Sequence, residues 1–260
     1  MPGTVRIEKE GHLGWIVFDH PERRNAITAE MWQLIPSAVA ELDADPDIRV
    51  VVLRGAGEVA FVSGADISEF QQHRSGPEAE DYDRHNLQAF AALSALSKPS
   101  IAMIHGFCVG GGFAIALNAD LRYAAEDAVF AIPAARLGLG YSPSGIEMLV
   151  HVVGVAAAKE VFFTARRLSA PDALRLRLVH EVLPRLELED HVRERATQIA
   201  NNAPLTLRSA KLVMRELTHP HAERDTAAMA RSVHACYGSA DYAEGVRAFL
   251  EKRAPEFQGK

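Results

Sequence analysis

Two stretches of this chain share one layout: a short apolar run, a glycine-containing turn and a helix start. The first spans residues 50–66 and closes on Phe61-Val-Ser-Gly-Ala-Asp66. The second spans 100–114 and contains His105-Gly-Phe-Cys-Val-Gly-Gly-Gly112. An apolar run of four or five residues that ends on a turn signal reads as a buried strand. The first N–H groups of a helix have no partner inside the helix and point at whatever lies beyond it. Glycine lets the main chain come close to a ligand. Two such turns set face to face hold one oxyanion between two N–H donors. The same glycines equally suit tight packing of strand on helix, and spacing alone does not choose between the two.

Around these stretches the first half of the chain alternates strands and helices. Residues 5–9 and 13–18 read as short strands around Gly11 and Gly14. Residues 28–42 follow a helical period, with Thr28 as N-cap. Asp66-Ile-Ser-Glu69 has the spacing of a capping box and predicts a helix start. Residues 79–96 form an amphipathic helix that stops before Lys98-Pro99, because the residue ahead of a proline avoids the helical region. Residues 106–112 read as a turn, 113–117 as the opening of a helix, and 121–124 and 128–131 as short strands. The second half is helical at 146–152, 156–164, 171–175, 188–201, 205–218, 222–235 and 243–252, with one strand at 178–182. This order predicts an α/β core over 1–200 and a helical region over 201–260 of the same domain, serving assembly or covering the site.

Composition narrows the class. A chain of 260 residues, 48% hydrophobic and 24% charged, has the ordinary globular profile and length enough for a large core. Two cysteines, Cys108 and Cys236, exclude a disulfide scaffold and suit a reducing compartment. No apolar run reaches the roughly 18 residues of a membrane span, and the N-terminus lacks the layout of a signal peptide, so a cytoplasmic protein with no membrane partner is expected. The net charge of −6 argues against nucleic acid as a partner. A small polyanion would need local basic residues. Arg23-Arg24 and Lys252-Arg253 offer them, and otherwise read as solvated pairs.

Several familiar chemistries fail on spacing. Residues 106–112 fit neither the dinucleotide fingerprint nor a P-loop, and no G-x-S-x-G elbow surrounds Ser63, Ser142 or Ser144. The eleven histidines form no H-E-x-x-H and no Cys/His cluster, so no metal is expected. His219-Pro-His221 reads as a solvated turn, His105 as the donor or acceptor of a structural hydrogen bond, and Cys108 as inert packing. Asp66 reads as a helix cap. Glu147 reads as a favourable charge near a helix start, with a displaced catalytic base as the alternative. Ser142 offers a hydroxyl that can position water.

At these residues the chain resembles the crotonase superfamily, the enoyl-CoA hydratase/isomerase family, over nearly its whole length. Arg24-Asn-Ala-Ile27 is similar to the family's R/K-x-N-A segment, and Phe61-Val-Ser-Gly-Ala-Asp-Ile67 to its A-F-x-x-G-A-D-I loop. His105–Gly112, with Ala116-Leu117 and Asp120, resembles its G-x-x-x-G-G-G segment and the helix after it. Phe130–Pro133 with Gly138 resembles its F-x-x-P turn, and Phe249–Phe257 its C-terminal F-x-E-K-R-x-P-x-F. Five weak matches in the right order make a specific one. The resemblance implies a spiral of ββα units with a C-terminal helical region that forms a homotrimer or a dimer of trimers. It implies an acyl-CoA substrate, with coenzyme A arriving as part of that substrate and no tightly bound cofactor. It implies an enolate held by the N–H groups of Ala65 and Gly111. Arg24, Ala26, the main chain at Asp66 and Ile67, and Gly110 would border the CoA site, and Lys252 of a neighbouring subunit would meet the phosphates.

The resemblance also exposes a departure. Hydratases of the family add water with two glutamates, whose positions here are Ala114 and Ala134. One general acid or base contributes about 10²–10⁴ in rate, whereas the main-chain donors do not depend on either side chain. Three readings follow. The first is a hydratase- or isomerase-type enzyme with another acid/base. The second is a malonyl- or methylmalonyl-CoA decarboxylase: its enolate forms as carbon dioxide leaves, and Tyr141 falls where family decarboxylases carry a tyrosine. The histidine that those enzymes place at Ala65 is absent. The third is an acyl-CoA-binding protein without turnover. The polar stretch 71–82 is expected to shape the acyl pocket.

Overall fold

The computed structural model describes residues 2–69 and 78–260. In chain order they form β1 (Thr4–Glu10), β2 (Leu13–Asp19), α1 (Ala29–Ala44), β3 (Val50–Gly55), β4 (Ala60–Val62), α2 (Glu78–Ala95), β5 (Ser100–Ile104), β6 (Phe107–Val109) and α3 (Gly111–Leu117). They continue with β7 (Leu121–Ala125), β8 (Val129–Ala131), α4 (Ala134–Leu137), α5 (Pro143–Thr164), β9 (Leu168–Ser169), α6 (Ala170–Arg175) and β10 (Glu181–Leu183). The chain ends in α7 (Leu188–Ala200), α8 (Pro204–Thr218), α9 (Thr226–Tyr237) and α10 (Ala240–Glu251).

Three successive segments repeat one plan: β3–β4–α2, β5–β6–α3 and β7–β8–α4. The first strand of each joins a six-stranded sheet of order β1-β2-β3-β5-β7-β10, and the second joins a four-stranded sheet of order β4-β6-β8-β9. β2, β3, β5 and β7 pair in parallel, as do β4, β6 and β8. The chain therefore climbs as a spiral of ββα units. Parallel strands are covered on both faces, which is why 50–53 and 101–104 are apolar without a break.

The strand period of two sorts these runs into two cores. Leu13, Trp15, Val17, Val50, Val52, Ile101 and Met103 point to one face of the large sheet, where Leu188, Val192, Ala196 and Ala200 of α7 cover them. Ile16, Phe18, Val51, Leu53, Ala102 and Ile104 point to the other face and pack with α1, α2 and the smaller sheet. α1 starts as expected: the Thr28 side chain accepts from Met31 N. It ends on Lys98, whose buried ammonium donates to the carbonyls of Leu42 and Asp45.

Three local expectations need correction. The capping box at 66–69 does not form. The Asp66 N–H already donates to Ile27 O, and the Glu69 carboxylate instead accepts from Ala29 N at the start of α1. Residues Ile67–Glu69 make a short 3-10 turn. The turn expected over 106–112 contains the strand β6, and β4 lies inside the first glycine segment. Three residues carry too little periodicity to announce a strand, and here pairing with neighbours supplies what the local sequence lacks. The helices expected at 146–152 and 156–164 both form within α5, the first beginning earlier at Pro143, and Gly154 between them leaves the helical region with φ 78°. The strand expected at 178–182 shrinks to Glu181–Leu183 because Leu178 and Val179 are used as packing against the first core.

Candidate active site

The two glycine turns face one another, and their glycines divide the labour that the sequence left undecided. A methyl group placed on Gly112 would fall 2.2 Å from Val62 O, so this residue lets α3 pack directly on β4. A methyl on Gly111 would stand 3.0 Å from the Trp32 ring and 3.8 Å from Ala65 N. Gly110 adopts φ 53°, a conformation that side chains disfavour, and turns the chain into the helix. Its own N–H is used, donating to Ala131 O. The N–H groups of Ala65 and Gly111 donate to no protein acceptor among the described residues. Ala65 is held in place from both sides: Ile27 N donates to Gly64 O, and Asp66 N donates to Ile27 O.

Both donors lie on one cavity of about 610 Å³, which also has Gly110, Ala114, Ala134 and Tyr141 in its lining. Six residues spread over 77 positions of sequence, from Ala65 to Tyr141, thus meet at one place. Ala114 and Ala134 are buried. The Tyr141 ring is half-buried and set edge-on to Phe162, with centroids 5.3 Å apart. Gly145 has no side chain because one would come 2.7 Å from that ring. Ser142 reaches the lining, and its hydroxyl accepts from Gly145 N as the N-cap of α5.

The residues expected on the coenzyme side adjoin this floor. Ser63 N donates to Arg24 O and Ser63 Oγ to Arg23 O, so the 23–26 turn is tied to the first glycine segment. The Arg24 guanidinium lies 4.9 Å above the Phe107 ring, and Ala26 is buried. Asp66 is buried against its own loop. Burial pushes its carboxyl pKa up, but the hydroxyl and N–H of Ser68, with the charge of Arg23, outweigh this and hold it below the usual carboxylate range. Ile67 contributes main chain at the 3-10 turn. Lys252 is exposed at the C-terminal end of α10 and does not line the cavity. Its neighbour Arg253 is not a spare basic group, because it pairs with Glu244 and Glu251.

Other expectations fare as follows. His105 is buried: its carbonyl accepts from Phe61 N, and its Nε2 has no partner among the described residues. Cys108 is fully buried, and burial pushes its thiol pKa far up. Glu147 is exposed and lies off the cavity lining. His219 faces Glu216 at 3.6 Å. The stretch 71–77, expected to shape the pocket, lies outside the described residues.

The sequence reading passed over two features. Asn25, with φ 55°, is buried, accepts from His20 N and donates to the carbonyls of Ala56 and Ala60, bolting the 20–26 turn to the β3–β4 connection. The signal was its place inside the Arg24-Asn-Ala segment. Asn tolerates left-handed backbone better than most residues. The second feature is one face of α2. Asp83, Asn86, Leu87 and Phe90 all line the cavity at helical spacing. Tyr82 joins them, and Trp32 Nε1 donates to its hydroxyl at 3.1 Å.

Comparison with known proteins identifies the family of the chain. The family model for enoyl-CoA hydratase/isomerase matches residues 8–260. The chain is 32% identical over 255 residues to a short-chain-enoyl-CoA hydratase of Clostridium acetobutylicum, with 97% of each chain covered. It is 34% identical over 264 residues to a carnitinyl-CoA dehydratase of Proteus mirabilis, with 100% of each covered. A crystal structure described as an enoyl-CoA hydratase/carnithine racemase from Magnetospirillum magneticum superposes with a TM-score of 0.93 at 33% identity, covering 99% of this chain and 96% of that one.

Proposed function

The chain belongs to the enoyl-CoA hydratase/isomerase family, and on that premise we propose that it binds an acyl-CoA thioester and stabilises its enolate between the N–H groups of Ala65 and Gly111. One observation carries this reading: two main-chain donors with no acceptor among the described residues, set on one cavity. As a bond at the carbon next to the thioester breaks, its electron pair moves toward the carbonyl oxygen. Donors already fixed by the surrounding backbone stabilise that charge without reorganising, by roughly 3–4 kcal/mol for each. Coenzyme A enters and leaves with the substrate, past Arg24, Ala26, the main chain of Asp66 and Ile67, and Gly110. Lys252 of a neighbouring subunit, in a homotrimer or dimer of trimers, meets its phosphates. With alanine at 114 and 134, proton transfer does not run through carboxylates at those positions.

The test is enolate formation itself. In heavy water, butyryl-CoA is expected to exchange its α-hydrogens, read as a gain in mass. Crotonyl-, malonyl- and methylmalonyl-CoA are offered beside it. No exchange and no change of mass with any of the four would sink the reading and leave an acyl-CoA-binding protein. A second reading, decarboxylation, draws on the placement of Tyr141 in the same lining as Ala114 and Ala134. Loss of carbon dioxide from malonyl- or methylmalonyl-CoA would carry it.

A further inference from the structure

An enolate needs a group that takes the α-proton, and the two alanines cannot. We propose that Asp83, on the cavity face of α2, is the proton-transfer residue of this site. The inference rests on the enolate reading above.

The geometry points to Asp83 by its position and by elimination. Asp83 is the one carboxylate in the described lining of the cavity. Its place follows from the fold: positions 83, 86, 87 and 90 recur on a single face of a helix, and all four reach the lining. The same face is locked to the oxyanion side. Phe90 sits edge-on to Trp32 at 5.3 Å, Tyr82 takes a hydrogen bond from Trp32, and the Trp32 ring lies against Gly111. Two other carboxylates, Asp66 and Glu147, lie off the lining. The remaining ionisable groups in the lining are the phenols of Tyr82 and Tyr141. Proton abstraction from carbon calls for a base, the role of a carboxylate rather than of a phenol that carries its proton.

The step balances without a co-reactant. The Asp83 carboxylate, directly or through one water, accepts the proton from the α-carbon as that C–H bond breaks. The electron pair enters the bond between the α-carbon and the thioester carbon, and the carbonyl oxygen becomes the oxyanion facing Ala65 and Gly111. The protonated Asp83 then returns a proton to carbon. In heavy water the acid exchanges its proton with solvent before the return, so deuterium appears on the substrate.

The experiment compares butyryl-CoA exchange in heavy water for the wild type, Asp83→Asn, Asp83→Glu and Glu147→Gln, with butyryl-CoA affinity measured in parallel. Asp83→Asn is expected to slow exchange by roughly 10²- to 10⁴-fold while affinity holds within about threefold. Asp83→Glu is expected to recover part of the rate, and Glu147→Gln to match the wild type. A structural role would not erase the acid side of the pH–rate profile, and loss of the carboxylate base does. Exchange by Asp83→Asn within about threefold of the wild type would overturn the assignment and leave the enolate reading standing. A wild type that never exchanges would overturn this inference, and if it also left crotonyl-, malonyl- and methylmalonyl-CoA unchanged in mass the enolate reading would fall with it.

Discussion

The floor and the wall of the cavity are built from different material. The floor is main chain: Gly64 to Asp66 and Gly110 to Gly112, fixed by hydrogen bonds to Ile27, Ala131 and Arg24 and by the contact of Gly112 with Val62. The wall is side chain: Ala114, Ala134, Tyr141 and the α2 face that carries Asp83. On the proposed function, a main-chain floor performs one task, holding an oxyanion, whatever the neighbouring side chains are. A side-chain wall can be rewritten residue by residue without disturbing the backbone. On that reading the difference teaches where a reaction is specified: the floor sets that an enolate forms, and the wall sets where its proton or leaving group goes.

The sharpest way to break this comparison is to damage the floor without touching the wall. Gly111 is the first residue of α3, a position whose backbone a proline accepts, and proline has no N–H to donate. Gly111→Pro is expected to cut turnover by about 10²–10³. Gly111→Ala is the control: it carries a similar added carbon against Trp32, 3.0 Å away, and keeps the N–H. A rate for the alanine variant within about tenfold of wild type, beside a collapsed rate for proline, isolates the donor from the crowding. Equal loss in both would assign Gly111 to packing alone.

A smaller effect is expected one layer below the floor. Asn25→Ala strands the His20 N–H and removes the donors that reach Ala56 O and Ala60 O. Leaving such buried groups unsatisfied costs about 1–3 kcal/mol, and alanine is also strained at φ 55°. Urea unfolding is expected to show a midpoint lowered by about that free energy with an unchanged slope. Turnover of the remaining folded protein stays measurable, because the donors themselves are untouched. A variant as stable as the wild type would mean that the 20–26 turn does not brace the floor.

The floor was legible in the sequence and most of the wall was not, for a physical reason. Glycines are needed only where backbone must approach backbone or turn sharply, so Gly64 and Gly110–Gly112 announce themselves locally. The long elements were equally legible: Thr28 caps α1 and the apolar runs at 50–53 and 101–104 are parallel strands, because period and capping are local properties. The wall is assembled by tertiary packing. Nothing in the sequence around Asp83 distinguishes it from Asp81, two residues earlier, which pairs with Arg84 on an exposed face. Only the rotation of α2 against Trp32 puts one aspartate in the lining and the other outside. The strands β4 and β6 escaped for the same reason, since pairing rather than pattern makes a three-residue strand. The Asp66–Glu69 box misled because Glu69 found a better-placed donor in Ala29, forty residues away in the chain.

The smallest expected effect sharpens the wall. Tyr141 shares the lining with Ala114 and Ala134, and its ring packs on Phe162 and over Gly145. Tyr141→Phe keeps that packing and removes only the hydroxyl. If Asp83 moves the proton, the phenol is a bystander to exchange, and butyryl-CoA is expected to gain deuterium in the variant at a rate within about threefold of wild type. A decarboxylase makes the opposite demand. Its enolate forms as carbon dioxide departs, no base is needed, and the group that matters is the acid that protonates carbon afterwards. Loss of a general acid costs about 10²–10⁴, so a drop of that size in carbon dioxide release from malonyl-CoA, with exchange unaffected, would move the chemistry from α2 to the turn before α5. The two rates measured on one variant therefore assign the wall to one residue or the other, while the floor serves both.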